Sequence, residues 1–98
     1  MQFSVRTNNY QKQSMLNICD ADLLGKKIIQ NDLTVHISKN YYGDRFVEKD
    51  EAESLLKNSS IINMAGKETV SLALTLGIAS ENAVKMISDV PFLIIFQA

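Results

Sequence analysis

The sequence holds a single cysteine, Cys19, and a single histidine, His36. One thiol excludes an intramolecular disulfide, and one Cys with one His cannot build a zinc site of the usual Cys/His kind. An excess of charge of either sign is also missing. Ten basic residues face eleven acidic ones, for a net charge of −1. Dedicated duplex-binding proteins carry a basic excess, because phosphate contacts dominate their affinity; here only a local basic patch stays open. Long hydrophobic runs are absent too. The longest, "VPFLIIF" at residues 90–96, is far too short to cross a bilayer. The opening "MQFSVRTNN" lacks the basic region and apolar run of a signal peptide. The expectation is a soluble, cytoplasmic protein with no membrane partner.

What is present suffices for a core. The chain has 98 residues, 46% of them apolar, so burial can offset chain entropy and a single α+β domain over residues 1–98 is expected. Residues 2–7 alternate, with Phe3 and Val5 on one face, and predict a half-buried strand. "NNYQK" predicts a turn of several residues, and "SMLNICD" a second strand of the same hairpin, with Leu16 and Ile18 on one side. Asp20 is placed to cap a single helical turn that Gly25 closes. "KIIQ", a tight turn at Asn31-Asp32 and "LTVHIS" predict two further strands, with Leu33, Val35 and Ile37 facing inward. "KNYYGDRF" reads as a loop. "VEKDEAESLLKNS" reads as a helix with Ala52, Leu55 and Leu56 as its stripe, and "SIINMA" as a short buried strand. A second, more apolar helix runs from about Lys67 to Leu76, with Gly77 as its left-handed stop. Ser80 is placed to cap a short turn before a strand at Val84–Ile87, and "PFLIIFQ" closes the chain as a strand. The pattern predicts a two-layer α+β sandwich: a mainly antiparallel sheet with two helices on one face.

The stretch "NMAGKETVSLALTLG" raises a chemical question. A phosphate loop needs a glycine at each side of a four-residue arc, then Lys and Ser/Thr. Residue 61, where the first glycine belongs, is Ile; residue 68, where a magnesium-binding hydroxyl belongs, is Glu. The nucleotide-loop reading fails. A helix start remains, with Glu68 complementing the dipole, and a weaker reading in which Asn63, Gly66 and Lys67 hold an anion at the free N–H groups. Asp20 and Asp22 could act as paired carboxylates, but such a pair in a turn more often caps backbone groups. Cys19 could be a nucleophile with His36 as its base, but nothing in the sequence brings them together, and a buried structural thiol is the default. Tyr41 and Tyr42, with Lys39 and Arg45, mix aromatic and basic side chains as single-stranded RNA sites do. The bland alternative packs one tyrosine on the core edge and exposes the other.

The segments "CDADLLGKK", "YYGD", "NMAGKETV" and "GIASENAVKMISDVP" together resemble the successive motifs of a small archaeal family of conserved uncharacterised proteins, the domain of unknown function four-two-four. The resemblance covers nearly the whole chain. Its most specific pieces are Leu23–Lys26 and the Asn63–Gly66 turn. It implies an archaeal, cytoplasmic α+β protein and no established activity, so no catalytic residue carries over. The resemblance also implies a polar, histidine-containing segment after Val90-Pro91. Here that segment is the apolar Phe92–Phe96, so a family site using that histidine would be missing.

No acid, base and nucleophile converge in this sequence, and no cofactor or metal is expected. The leading reading is a non-enzymatic binding module whose partner is RNA or a translation-related protein. Its candidate residues are Lys26, Tyr41, Tyr42, Arg45, Asn63, Gly66 and Lys67, drawn from three turns that would form one surface. The second reading is a small-molecule or anion-binding protein, an enzyme among the options, centred on Gly66-Lys67. The third is a structural or assembly protein. It would form a homodimer through Phe92–Phe96, with Leu93 and Ile95 as the outward-facing pair.

Overall fold

The computed structural model describes residues 2–97, and of Tyr10 the backbone alone. Strands β1 (Gln2–Tyr10) and β2 (Gln13–Asp20) form a long hairpin. Their connection is shorter than the sequence predicts. Asn8, Asn9 and Tyr10 pair with Met15, Ser14 and Gln13, which leaves only Gln11 and Lys12 to turn the chain. Both have positive φ, 49° and 68°, the geometry that matches the twist of a two-residue hairpin. Asn-Gly normally signals that turn; Gln-Lys does not.

Strands β3 (Lys27–Gln30) and β4 (Leu33–His36) pair only with each other. After them come a one-turn helix α1 (Lys39–Tyr42), strand β5 (Arg45–Glu48) and helix α2 (Lys49–Asn58). The predicted loop at residues 39–46 is therefore a helical turn and the start of an edge strand. Strand β6 (Ile61–Ala65), helix α3 (Lys67–Thr75), β7 (Lys85–Ile87) and β8 (Val90–Phe96) complete the chain. Gly77 follows α3 at φ +75°, and the Ser80 hydroxyl accepts from the Asn82 N–H, both as predicted.

The main sheet has the order β5-β1-β2-β6-β8-β7, and every pairing is antiparallel except β2 with β6. Phe3, Val5, Leu16, Ile18, Ile62, Met64 and Leu93 share the face that packs on Ala52 and Leu56 of α2 and on Val70, Leu72 and Ala73 of α3. Burying these side chains supplies the main driving force for folding. The opposite face is half covered. Cys19 and Ala65 lie under Ile28, Ile37 and Tyr42 from the β3–β4 hairpin and α1. The Ser4 hydroxyl donates to the Tyr42 carbonyl and anchors that cover.

Three further sequence expectations need correction. Among the described residues there are three α-helices, and α1 sits on the face opposite α2 and α3, so the two-layer sandwich gains a partial third layer. Leu33, expected inside, is 48% exposed, because it ends a hairpin that no third strand extends. Leu93 and Ile95, expected to face outward, pack on the helix side of the sheet, because β8 pairs with β6 in a register that aligns them with Met64 and Ile62.

No described helix is long and apolar enough to cross a membrane.

Candidate functional site

The start of α3 is already occupied. The Asp20 carboxylate, delivered by the end of β2, accepts the Thr69 N–H and the Thr69 hydroxyl, both at 2.8 Å, and the Glu68 N–H at 3.1 Å. Gly66 makes room for it: a Cβ there would fall 2.4 Å from the Asp20 Cγ. Free N–H groups at a helix start attract anions, and the anion here is the protein's own. Asp20 thus caps a helix 49 residues away in sequence. The neighbouring turn Ala21–Leu23, where the sequence placed its cap, has no side-chain cap. Gly66-Lys67 opens a helix whose Glu68 and Thr69 N–H groups Asp20 already takes.

The candidate residues divide between the two faces. Asn63 and the exposed Tyr41 lie on the half-covered face, and Lys26 stands at the foot of the covering hairpin, where its carbonyl accepts the Ile37 N–H. Arg45 lies opposite Val5 and shares its face, where it forms an ion pair with Glu51 of α2. Lys67 begins α3, on that same helix face. Tyr42 and Gly66 are buried. Burial pushes the Tyr42 phenol well above its ordinary range, and that ring is not available for stacking. The three turns do not form one surface. Leu23 does meet Gly66 and Lys67 around a cavity of about 330 Å³, beside Asp20, Asp22 and Asp89.

Cys19 is fully buried, and burial, followed by the charges of Asp20 and Asp22, pushes its thiol up to about 12. Reactive thiols have the opposite environment, electropositive and accessible. His36 is exposed, opposite Lys27 in the outer hairpin. Among the described residues no group of three or more His, Cys, Asp or Glu is placed to hold a metal ion.

The rest of the half-covered sheet face is built from two cross-strand rows, buried at Asn17 beside α1 and open at the β8 end. Arg6, Asn17, Asn63 and Ile94 are successive partners on β1, β2, β6 and β8; Asn8, Met15, Ile61 and Phe96 are the next row. Ile94 is 60% exposed, Phe96 77% and the adjoining Tyr41 45%. The Asn17 amide donates to the Tyr41 carbonyl at 3.0 Å, and the Asn63 amide donates to Asn17 Oδ1 at 2.8 Å. Arg6 is half-buried, and no described carboxylate pairs with it. The covering layer beside this surface, residues 24–43, carries Lys26, Lys27 and Lys39 against a single acid, Asp32. Sequence reasoning missed Arg6 and Asn17, and it placed Ile94 and Phe96 in a self-association segment with Leu93 and Ile95 as the outward pair. Alternation places Arg6, Asn17, Ile94 and Phe96 on a common side of their own strands, but only the register, with its parallel β2–β6 step, aligns them.

The fold and this surface define a small α+β domain with a mixed, mostly antiparallel sheet that leaves half of one face open. The chain belongs to the family described as "Protein of unknown function (DUF424)", which matches residues 8–98. It is similar in fold to the crystal structure of an uncharacterized conserved protein from Methanopyrus kandleri, at a TM-score of 0.82 and 23% identity, over 98% of this chain and 91% of that one. No curated protein matches the chain.

Proposed function

We propose that the protein is a non-enzymatic binding module for single-stranded RNA, free or within a translation-related complex, and that it works through the open half of the sheet. The observation that carries this reading is the joint exposure of the Phe96 and Tyr41 rings on a sheet face that also carries Arg6, which forms no ion pair with a described carboxylate, and Asn63, whose amide is oriented by the buried Asn17. Unstacked bases bind such surfaces by stacking on aromatic rings, with cations on the backbone. The lysines of the β3–β4 layer supply nearby positive charge, while α2 carries three acids against two lysines and faces away. Affinity is expected to be modest, because net charge offers little long-range attraction. Titration of short single-stranded RNA at low and raised salt tests the reading. Binding should fall steeply with salt and weaken in Phe96→Ala; no binding at low salt ends it.

A second reading rests on the apolar exposure of Ile94 and Phe96 alone. A second copy of the chain could cover this row in a two-fold dimer. Sedimentation at tens of micromolar separates the two readings: a stable RNA-free dimer, abolished by Ile94→Lys, favours assembly.

A further inference from the structure

We infer that the open face reads an adenine base, with Asn63 contacting its edge and Phe96 stacking on its ring; this rests on the single-stranded RNA reading above. The first support is orientation. Asn17 gives an amide N–H to the Tyr41 carbonyl, which turns its Oδ1 toward β6 to receive the Asn63 amide. Both amides are therefore fixed, and Asn63 is left with Oδ1 and one N–H. Among the described residues nothing donates to that Oδ1. An acceptor and a donor held on one half-buried side chain form the half-complement that a base edge satisfies.

The second support is position. Ile61 pairs with Phe96 and Asn63 with Ile94, so Asn63 and Phe96 are diagonal neighbours on adjacent strands. Such neighbours stand about 7–8 Å apart, close to the length of a purine. A base lying on the exposed Phe96 ring can direct one edge at Asn63. Adenine offers a donor beside an acceptor on both of its open edges, N6 with N1 and N6 with N7. Guanine offers that pair on one edge and two acceptors on the other, and pyrimidines have one such edge and a smaller ring to stack. A fixed amide therefore accepts adenine in more orientations than any other base. Arg6, two strands from Asn63 in the same row, is placed for the adjoining phosphate.

The test compares oligoadenylate, oligouridylate and oligocytidylate of equal length on wild-type protein, Asn63→Ala and Phe96→Ala, each checked for folding by thermal melting. The expected result is about tenfold tighter binding of oligoadenylate. That preference should vanish in Asn63→Ala, and all three affinities should fall together in Phe96→Ala. A probe that leaves the protein untouched keeps the test valid should Asn63→Ala not fold. An oligomer of N6,N6-dimethyladenosine retains the stack and lacks the donor, and it should lose the preference. Equal binding of the three homopolymers overturns adenine readout and leaves the RNA reading standing. A preference that survives both Asn63→Ala and N6 methylation overturns the role of Asn63. No binding of any oligomer overturns the RNA reading itself.

Discussion

Asp20 and Thr69 are joined twice: the Asp20 Oδ1 accepts both the backbone N–H and the hydroxyl of Thr69, each at 2.8 Å. The pair ties the end of a central strand to the first turn of the buried helix. Both residues are buried, Thr69 completely.

Removing the carboxylate should therefore be costly. Asp20→Ala leaves two backbone N–H groups and a hydroxyl unpaired, and loss of a cap alone costs about 1 kcal/mol, more when the groups left behind are buried. A loss of about 2–3 kcal/mol is expected in urea unfolding, against much less for the exposed Asp22→Ala. Equal small effects would contradict the cap.

Gly66→Ala should destabilise more than Gly25→Ala. Gly25 has φ +89°, and a methyl added there would meet open space, so only backbone strain of about 1 kcal/mol is expected. Gly66 has φ +112°, and its new Cβ would also strike the Asp20 carboxylate. Gly43 is different: its φ of −114° is ordinary, so no left-handed strain applies there. The ranking of thermal midpoints checks this.

Cys19 should make stability fall at high pH. Its thiol ordinarily titrates near 9 and is pushed up to about 12 by burial in the folded chain. Below 9 both states hold the proton and the full contribution is present. Between 9 and 12 the unfolded chain releases the proton while the folded one keeps it, so stability falls as pH rises. Tyr42, also shifted upward, adds to the same slope. Urea midpoints from about pH 8 to about 10.5 should fall less steeply in Cys19→Ala than in wild type.

The terminal strand should respond to lysine by face. Leu93 is 2% exposed and packs under the helices, so Leu93→Lys should unfold the protein. Ile94→Lys points into water and should leave the thermal midpoint nearly unchanged. The opposite pattern would reverse the register of β8 on β6.

Sequence alone determined most of the local structure. Alternation marked β1 and β2, helical spacing marked α2 and α3, and Gly77 and Ser80 marked the ends of the segment between α3 and the last hairpin, because these signals depend on neighbours within a turn or two. It also determined that Phe92, Ile94 and Phe96 share one side of a strand and Leu93 and Ile95 the other. Which side meets water was set by pairing β8 against β6, and the outward pair proved to be Ile94 and Phe96, not Leu93 and Ile95. The same holds for the candidate site. Arg45 and Tyr41 are close neighbours in the chain, yet the edge strand turns Arg45 to Glu51 while α1 holds Tyr41 on the opposite face. Asp20, read locally as the cap of its own turn, serves a helix brought beside it by the parallel β2–β6 pairing. Strand partners and their register are contacts between residues far apart in the chain, and a one-residue slip reverses every side chain. Only the folded chain decides them.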